Sequence, residues 1–366
     1  MRTKIEARKL GHIRISARKN VESERSTGFE NVYIVHKAVP EIDKNDVETS
    51  TAIFSHQLMA PIIIGPMTGG TPEAGKINSV LAETAEKLGL GIGVGSQRAA
   101  LEKTNLAYTY NIVRKKAPNA FVLANVGCPQ LVKGNGIETA KAAIEMIDAN
   151  GLYIHLNPLQ ESVQHEGETC FQTVLEKIGE VVRVVKVPVI VKETGAGISS
   201  DVAKKLVEIG VSGIDVSGAG GTSWAGVEYY RAKQISDRLH ARLGETFWNW
   251  GISTAASLVE VVASTTTTVI ASGGIRSGLD IAKSIALGAS VSSLALPLVR
   301  PALKGSREVE NLLRTIIEEL KTAMFLAGAK NIADLKKVPV VVAGSTREWL
   351  SERGFDTGAY AKRSSF

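Results

Sequence analysis

The sequence is poor in cysteine and in aromatic residues, and these scarcities exclude several classes of protein. Its two cysteines, Cys128 and Cys170, have no metal-ligand or redox spacing, so we expect free thiols in a reducing compartment. Aromatic residues make up 5% of the chain and are not interleaved with the scattered basic residues, which argues against nucleic-acid binding despite a net charge of +6. The charge leaves two interpretations open, a phosphorylated small-molecule ligand or a plainly solvated basic surface.

Long apolar runs are also missing. No window reaches membrane-spanning length, and the opening residues lack the apolar core of a signal peptide. We therefore expect a cytoplasmic protein that binds neither membrane nor nucleic acid. What the chain does contain is 35 glycines in a composition that is 44% apolar and 22% charged, which is typical of a soluble globular protein with many tight turns and close backbone approaches to a ligand.

Eight short apolar runs recur from residue 61 onward and are typical of buried parallel strands. The runs are Ile62–Ile64, Gly91–Val94, Phe121–Ala124, Leu152–His155, Val189–Val191, Gly213–Val216, Thr268–Ala271 and Val291–Ala295. Amphipathic helical patterns separate them, such as Glu73–Leu88, which Gly89 ends. Eight such units predict an α/β fold, a (β/α)8 TIM barrel. The alternative, a doubly wound sheet, requires a reversal of strand order that a sequence does not display.

The predicted barrel occupies residues 61–330. Residues 1–60 are charged and irregular, with one β-like run at Val32–Val35, and are expected to form an N-terminal arm and a lead-in layer. Residues 331–366 are expected to form a helical C-terminal extension of the same domain. The sixth and seventh runs begin about 55 residues apart, which predicts extra helices there, one of them at Thr254–Val262, serving as a lid or an oligomer contact.

The fourth run ends in a dense polar cluster. His155, Asn157, Gln160 and Glu161 follow one another within seven residues. Because active sites of such barrels lie at the carboxyl ends of the strands, we interpret these side chains as functional rather than as ordinary loop polarity. Glu161 is the predicted Mg²⁺ ligand beside a diphosphate, since Mg²⁺ takes one or two carboxylates together with phosphate oxygens and water. Glu228 is a second acidic candidate, and an exposed helical position is its equal alternative.

Glycines and a basic residue predict a phosphate site after the seventh run. There Gly273, Gly274 and Arg276 lead into a helix whose N-terminus favours phosphate. Asn125 and Lys192, at the ends of the third and fifth runs, are predicted to contact the ring edge of a planar cofactor. The alternative for Lys192 is a salt bridge at the barrel mouth.

A second anion site is predicted where the arm meets the strand ends. Its members are Arg8, Lys9, His12, Ser96, Arg98 and His155. These cations are too many for one phosphate, although the arm on its own is typical of a solvated charge run.

Six motifs in order resemble the type 2 isopentenyl diphosphate isomerases, and the archaeal branch most of all. They are Arg8-Lys9-x-x-His12, Met67-Thr68-Gly69-Gly70, Val94-Gly95-Ser96-Gln97-Arg98, His155-Leu156-Asn157-Pro158-x-Gln160-Glu161, Gly220-Gly221-Thr222-Ser223-Trp224 and Gly273-Gly274-Ile275-Arg276-Ser277-Gly278. The resemblance runs from the arm to about residue 350. Cys128 departs from the archaeal pattern and argues against a catalytic thiol.

The resemblance implies an isomerase of isoprenoid biosynthesis that interconverts isopentenyl and dimethylallyl diphosphate, using Mg²⁺ and reduced FMN, with NADPH as the reductant and a homotetramer or larger assembly. The residues that match flavin contacts are Met67, Thr68, Gly69, Ser96, Asn125, Lys192 and Thr222, with Gly274, Arg276, Ala295 and Leu296 around the flavin phosphate. Those that match substrate contacts are Arg8, Lys9, His12, Arg98, His155 and Asn157, with Gln160 near the reacting carbons and Glu161 as the metal ligand.

The expected catalytic residues are Gln160, Lys192 and His155. Our hypothesis gives Gln160 a proton-relay or positioning role and makes Lys192 a stabiliser of anionic reduced flavin. One alternative is an FMN-dependent oxidoreductase on the same barrel, disfavoured because the loop 218–224 has no cysteine and the chain has no His-Gly pair. A flavin- or prenyl-phosphate-binding protein without turnover is disfavoured because Gln160, Glu161 and Lys192 are all present.

Overall fold

Eight parallel strands close into a barrel in this computed structural model, which describes residues 4–364. The strands of the chain are β1 Val32–Ile34, β2 Thr51–Ile53, β3 His56–Leu58, β4 Ile62–Ile64, β5 Gly91–Gly93, β6 Val122–Gly127, β7 Gly151–His155, β8 Val189–Lys192, β9 Gly213–Asp215, β10 Thr268–Ala271, β11 Val291–Leu294 and β12 Val340–Val342. Strands β4 to β11 pair in chain order, and β11 pairs back with β4. The predicted (β/α)8 barrel is confirmed, and each predicted run corresponds to one of its strands.

Helices follow each barrel strand and also occur in the segments before and after the barrel. They are α1 Lys4–Arg18, α2 Pro72–Leu88, α3 Arg98–Glu102, α4 Tyr108–Lys116, α5 Cys128–Lys133, α6 Gly136–Met146, α7 Pro158–Val163, α8 Val174–Val184, α9 Ser200–Glu208, α10 Trp224–Gln234, α11 Arg238–Thr246, α12 Thr254–Ser264, α13 Gly278–Ala286, α14 Leu296–Lys304, α15 Ser306–Leu326, α16 Ile332–Leu335, α17 Gly344–Glu352 and α18 Gly358–Ala361. The long connection between β9 and β10 carries α10, α11 and α12, so the extra helices predicted there are present.

The barrel strands are buried on both faces, which explains why their sequences are continuously apolar. Inside the barrel, Ile63, Leu123 and Ile190 belong to a core that is separate from the larger core between strands and helices. The β2–β3 hairpin closes the amino end of the barrel, because Ile53 and Leu58 pack into the same inner core. The opposite end, where the strands finish, is therefore the open one.

The N-terminal segment differs from its prediction. Residues 4–18 form a helix, α1, where an irregular arm was predicted. Its buried apolar face is small, with Leu10 and Ile15 buried among charged neighbours, so the helical period is hard to see in the sequence. Ile15 packs with Val21 and with Val227 of α10, which lays α1 across the open end of the barrel.

The predicted β-like run near residue 32 is β1, and it pairs antiparallel with β12 of the C-terminal extension. The extension is otherwise helical, as predicted. The arm was predicted from residue 1 and the extension to residue 366, so residues 1–3 and 365–366 of those predictions lie outside the described part of the chain. Between residues 4 and 364, no helix combines the length and apolar character that a membrane crossing requires.

Candidate active site

A deep pocket lies at the carboxyl ends of the barrel strands, beneath α1. Nearly all of the predicted site residues line it, namely Arg8, Lys9, His12, Met67, Thr68, Ser96, Arg98, Asn125, His155, Asn157, Gln160, Glu161, Lys192, Thr222, Gly274, Arg276, Ala295 and Leu296. Gly69 is the exception. A Cβ atom at Gly69 would lie 2.0 Å from the Tyr110 ring, so this glycine permits close packing behind the pocket wall.

The cationic part of the pocket centres on Lys9 of α1. Its Nζ donates to the Ser96 carbonyl at 2.5 Å and to the Tyr110 hydroxyl at 2.7 Å, and that hydroxyl itself donates to the Ser96 carbonyl. Burial, followed by the positive charges of Arg8 and Arg98, lowers the pKa of Lys9 to about 7. An anion bound here would reverse this effect and favour the protonated amine.

Arg98 is held by two carboxylates. Its Nε donates to Glu102 at 2.8 Å and its Nη2 to Glu168 at 3.0 Å, while Lys133 lies 3.3 Å from the same Glu168 oxygen. Glu102 is one turn along α3, and Glu168 follows α7. An anion that binds Arg98 would therefore have to share or replace these partners.

His155 ends β7 with its protonation fixed by Asn125. The Asn125 amide donates to the Val94 carbonyl at 3.0 Å, so its Oδ1 is the atom that accepts from His155 Nδ1 at 2.8 Å. Nε2 is then the unprotonated nitrogen. Burial, followed by the positive charges of Lys192 and Lys9, lowers the pKa of His155 to about 3, which makes the imidazole neutral at physiological pH.

The helix α7 starts at Pro158, whose ring is compatible with a first helical turn, and it presents the acidic group of the site. Glu161 accepts from the Asn157 amide at 2.8 Å and from the Glu168 backbone N–H at 2.7 Å. This orientation leaves the buried Asn157 Oδ1 without a hydrogen-bond partner. A buried oxygen of this kind beside a carboxylate is suited to a cation or to its bound water.

Glu228 of α10 is buried, so the alternative of an exposed helical position is wrong. It accepts from His12 Nε2 at 2.9 Å and from Arg231 at 2.5 Å, and Gln160 Nε2 lies 3.4 Å from the same oxygen that His12 contacts. Burial alone would raise the pKa of Glu228, but His12 and Arg231 outweigh it and lower the pKa below the ordinary value. Glu228 therefore connects α1 to the Gln160 side chain.

Lys192 and its neighbours supply charge at the ends of β8 and β9. Lys192 Nζ donates to the Glu193 carbonyl at 2.5 Å, and the Glu193 carboxylate accepts from the backbone N–H groups of residues 194, 195 and 196. Burial nevertheless raises the pKa of Glu193 to about 7. Asp215, which accepts from Ser272, has a pKa raised by burial, an effect that Lys192 opposes.

The other side of the pocket is built from backbone. Gly273 and Gly274 have φ angles of 96° and 76°, a region that favours glycine. A Cβ at Gly221 would lie 2.3 Å from the Gly274 nitrogen, so the loops after β9 and β10 touch backbone to backbone. Helix α14 begins at Leu296 with no side-chain cap, which leaves its N-terminus open toward the pocket. Arg276, at the rim, donates to Glu22 at 2.7 Å.

Some pocket residues were missed by the sequence predictions. Gln164 is buried, lines the pocket and lies four residues after Gln160, a helical spacing that could have predicted it. Ser272 was visible as a strand-end residue but was given no role. Asp215 does not line the pocket itself but accepts from Ser272, which does. It sits inside an apolar run, and nothing in its local sequence distinguishes it from an ordinary strand residue.

Comparisons with known proteins agree with this fold. The profile of the FMN-dependent dehydrogenase family matches residues 136–341. The isopentenyl-diphosphate delta-isomerase of Methanothermobacter thermautotrophicus is 51% identical over 98% of this chain and all of its own length. Its counterpart from Pyrococcus furiosus is 49% identical over 96% of this chain and 90% of its own.

Solved structures show the same fold. A mandelate oxidase with (S)-2-phenylpropionate covers 91% of this chain and 94% of its own at a TM-score of 0.63 and 20% identity. A mandelate oxidase variant with an FMN adduct covers 91% and 92% at a TM-score of 0.61 and 18% identity. At these identities the likeness establishes the architecture alone.

The closed barrel, its polar open end and the family profile define an enzyme of the FMN-dependent (β/α)8-barrel class. Within that class, identity near one half over almost the whole length decides the membership. The chain belongs to the isopentenyl-diphosphate delta-isomerase family.

Proposed function

We propose that this protein interconverts isopentenyl diphosphate and dimethylallyl diphosphate by a 1,3-allylic proton shift, using reduced FMN and Mg²⁺. The observation that carries the proposal is the composition of one pocket: partly buried cations and the buried Glu161 carboxylate on one side, and glycine loops with an uncapped helix N-terminus on the other. The first set suits a metal-bound diphosphate and the second suits a flavin phosphate. Whole-length identity to named isomerases supports the same substrate pair.

The glycine loops fit FMN because a Cβ atom at Gly221 or Gly274 would collide with neighbouring backbone, so these positions keep the pocket wall thin where a phosphate must approach N–H groups. We propose that Gly274, Arg276, Ala295 and Leu296 hold the phosphate. The proposed contacts of the rest of the flavin are Met67, Thr68, Ser96, Asn125, Lys192 and Thr222, while Gly69, which does not line the pocket, supports the wall from behind. When bound, reduced FMN supplies an electron-rich face and an exchangeable ring proton.

Two further parts of this assignment rest on the family resemblance. NADPH is proposed as the source of the reducing electrons. Lys192, whose amine lies at the end of β8, is proposed to stabilise the negative charge of the reduced ring.

The Mg²⁺ site is proposed at Glu161. The buried carboxylate supplies one ligand, and the partnerless Asn157 Oδ1 beside it is suited to a metal-bound water. The diphosphate would complete the shell, held by Arg8, Lys9 and Arg98. His155, which is neutral in the free protein, would then lie near a strongly anionic ligand, and this would raise its pKa.

The carbon end of the substrate is proposed to face Gln160. Its amide is oriented by the Glu228 carboxylate, which His12 and Arg231 hold in the charged form. This arrangement allows Gln160 to position or relay a proton while α1 covers the pocket and excludes water from a carbocation-like transition state. Ile13 of α1 and Trp224 of α10 line the pocket as well.

The decisive experiment is an anaerobic assay with isopentenyl diphosphate, Mg²⁺ and FMN, run in parallel with dithionite-reduced and oxidised flavin. We expect dimethylallyl diphosphate only with reduced flavin, and loss of product when EDTA removes Mg²⁺. Product formation that is equal with oxidised flavin, or absent with reduced flavin, contradicts the proposal. Substrate-dependent net oxidation of the flavin or of NADPH would instead support the oxidoreductase alternative that the family profile allows.

The assembly and the organisation of the chain are also proposed. We propose that residues 1–60 and 331–366 fold as one unit with the barrel, because β1 and β12 pair across these two segments. The proposed homotetramer or larger assembly follows from the family resemblance. Light scattering that gives a monomer mass at working concentrations would contradict it.

A further inference from the structure

Three side chains outside the pocket converge on a single oxygen atom. His165 Nδ1 lies 2.6 Å from Asp237 Oδ2, and His240 Nδ1 lies 2.7 Å from the same oxygen. His165 follows α7, and the other two residues lie at the start of α11, in the connection between β9 and β10. Within the described chain, this is the one group of three or more such side chains whose potential metal-ligand atoms lie within 4.8 Å of one another.

The carboxylate of the group is fixed in place before any ligand arrives. Asp237 Oδ1 caps α11 by accepting from the His240 backbone N–H at 3.1 Å, which turns Oδ2 toward both imidazoles. The hydrogen bond from that N–H, followed by those of the histidine side chains, lowers the pKa of Asp237 to about 2, so the group is charged at physiological pH. The two rings meet edge to face with centroids 5.3 Å apart.

Hydrogen bonds account for the observed distances among the three side chains. The chemical identity of the three atoms points in addition to a metal ion. Two imidazole nitrogens and one carboxylate oxygen are typical of zinc and other first-row divalent metals, whereas Mg²⁺ prefers oxygen ligands. Ligand atoms around a tetrahedral Zn²⁺ are separated by about 3.3 Å, given metal–ligand distances of about 2.0–2.1 Å. The observed separations therefore need to open by less than about 1 Å, and His165, whose side chain is 58% exposed, has room to move.

We propose that His165, Asp237 and His240 form a binding site for a divalent transition metal of the Zn²⁺ type, separate from the active site and with an open fourth position. On metal binding each neutral imidazole would shift its proton from Nδ1 to Nε2 through solvent, so that Nδ1 binds the metal and Nε2–H is free to donate to other partners. Neither the proposed isomerase activity nor the Mg²⁺ at Glu161 requires this site.

Such a metal would join two walls of the active site. The segment that carries His165 also carries Glu168, whose backbone N–H holds the Glu161 carboxylate at 2.7 Å. Helix α10, which precedes α11, carries Glu228. Arg231 of the same helix already donates to Glu166 at 2.5 Å. A metal at the three-residue site would add a second tie parallel to the Arg231–Glu166 ion pair. Its occupancy would stiffen the connection between the Glu161 and Glu228 sides of the pocket.

The test is a direct metal titration of tag-free full-length protein. All proteins carry Cys170→Ser, because the exposed Cys170 thiol could bind zinc by itself. After EDTA treatment and buffer exchange, ZnCl₂ is titrated in competition with a chromophoric chelator, with Mg²⁺ present in excess. His165→Ala removes one ligand, and His36→Ala, which alters an exposed histidine elsewhere, is the matched control.

We expect one zinc per chain and no change in affinity in His36→Ala. The zinc affinity of His165→Ala should be at least ~10-fold lower, because losing even a residue that only hydrogen-bonds to a metal ligand lowers metal affinity by that much. His240→Ala should reproduce the His165→Ala result. CoCl₂ in place of zinc should give a visible absorption band that both ligand variants lose. Equal zinc affinity in His165→Ala and His36→Ala, or no zinc bound by the parent protein, overturns the site. Because the readout is metal binding, failure of the isomerase assay has no bearing on it.

Discussion

The two halves of the pocket are built from different materials. On the side of α1 and the ends of β5 to β7, the wall consists of long side chains that carry charge, such as Lys9, Arg98 and Glu161. On the side of β9 to β11, it consists largely of backbone, with Gly221 and Gly274 in contact across two loops. Ligand binding in the first half should therefore depend on side-chain charge and on pH. Ligand binding in the second half should depend on whether added side-chain volume displaces the backbone.

The largest effect is expected at Gln160, which lies in the side-chain half where the carbon end of the substrate is proposed to bind. Gln160→Ala should lower kcat by roughly 10²–10⁴-fold, the range for loss of a proton-transferring group, with little change in substrate affinity. Steady-state kinetics with fully reduced FMN measure this, and Gln57→Ala, at an exposed position of β3, is the control. Full turnover in Gln160→Ala with normal substrate binding would rule out the relay role.

The backbone half should be most sensitive to the addition of one methyl group at a glycine. Gly221→Ala places a Cβ 2.3 Å from the Gly274 nitrogen, where only a shift of backbone relieves the clash. An overpacking cost of about 1–3 kcal/mol in the FMN-bound state corresponds to FMN binding that is roughly 5–150-fold weaker. Quenching of flavin fluorescence during titration measures it.

Gly134→Ala is the control for that substitution, because a Cβ there has ordinary contacts and the backbone angle suits any residue. Arg276→Met extends the comparison. Loss of this charge at the rim should weaken FMN binding less than the methyl group added in Gly221→Ala. The opposite ranking would contradict the division into a side-chain half and a backbone half.

The pH dependence of substrate capture is the signature expected of the side-chain half. In the free protein Lys9 has a pKa lowered by burial to about 7, so it is charged below that pH and neutral above it. Log(kcat/KM) should therefore fall above about pH 7 with a slope approaching −1, because kcat/KM reports the ionisation of the free enzyme.

Lys9→Arg provides the matched test, because a guanidinium stays charged throughout and should remove that limb of the profile. The substrate's own ionisation affects both proteins equally and cancels in the comparison. Identical pH profiles for the parent and Lys9→Arg would show that another group titrates.

The smallest effect is expected at Cys128, beside the side-chain half but buried behind it. Burial raises the pKa of this thiol to about 12, so it remains protonated and unreactive. Cys128→Ala should change kcat by no more than about twofold, an expectation from the absence of any proton-transfer role. Iodoacetamide should label the exposed Cys170 alone in the native protein, and rapid labelling of Cys128 would contradict its assignment as an inert residue.

Local sequence patterns predicted the barrel because buried parallel strands are apolar throughout, and the ends of those strands predicted most of the pocket. The contacts of Glu228 could not be predicted in this way, since its partner His12 is more than two hundred residues away along the chain. The helix α1 was missed because its apolar face is short. The convergence of His165 with Asp237 and His240 depends on the same kind of long-range packing.

The position of α1 has a consequence for biosynthesis. This first helix packs on α10 and α14, and its Ala17 carbonyl accepts from Arg300 at 2.9 Å, while β1 finds its partner only in β12 near residue 340. A ribosome that adds ~5–20 residues per second exposes α1 for roughly 15–60 s before those partners emerge. The basic residues of α1, of which Arg8 and Lys9 line the pocket in the folded protein, are expected to keep this segment hydrated and to discourage aggregation. The helix that covers the pocket is thus synthesised well before the helices on which it packs.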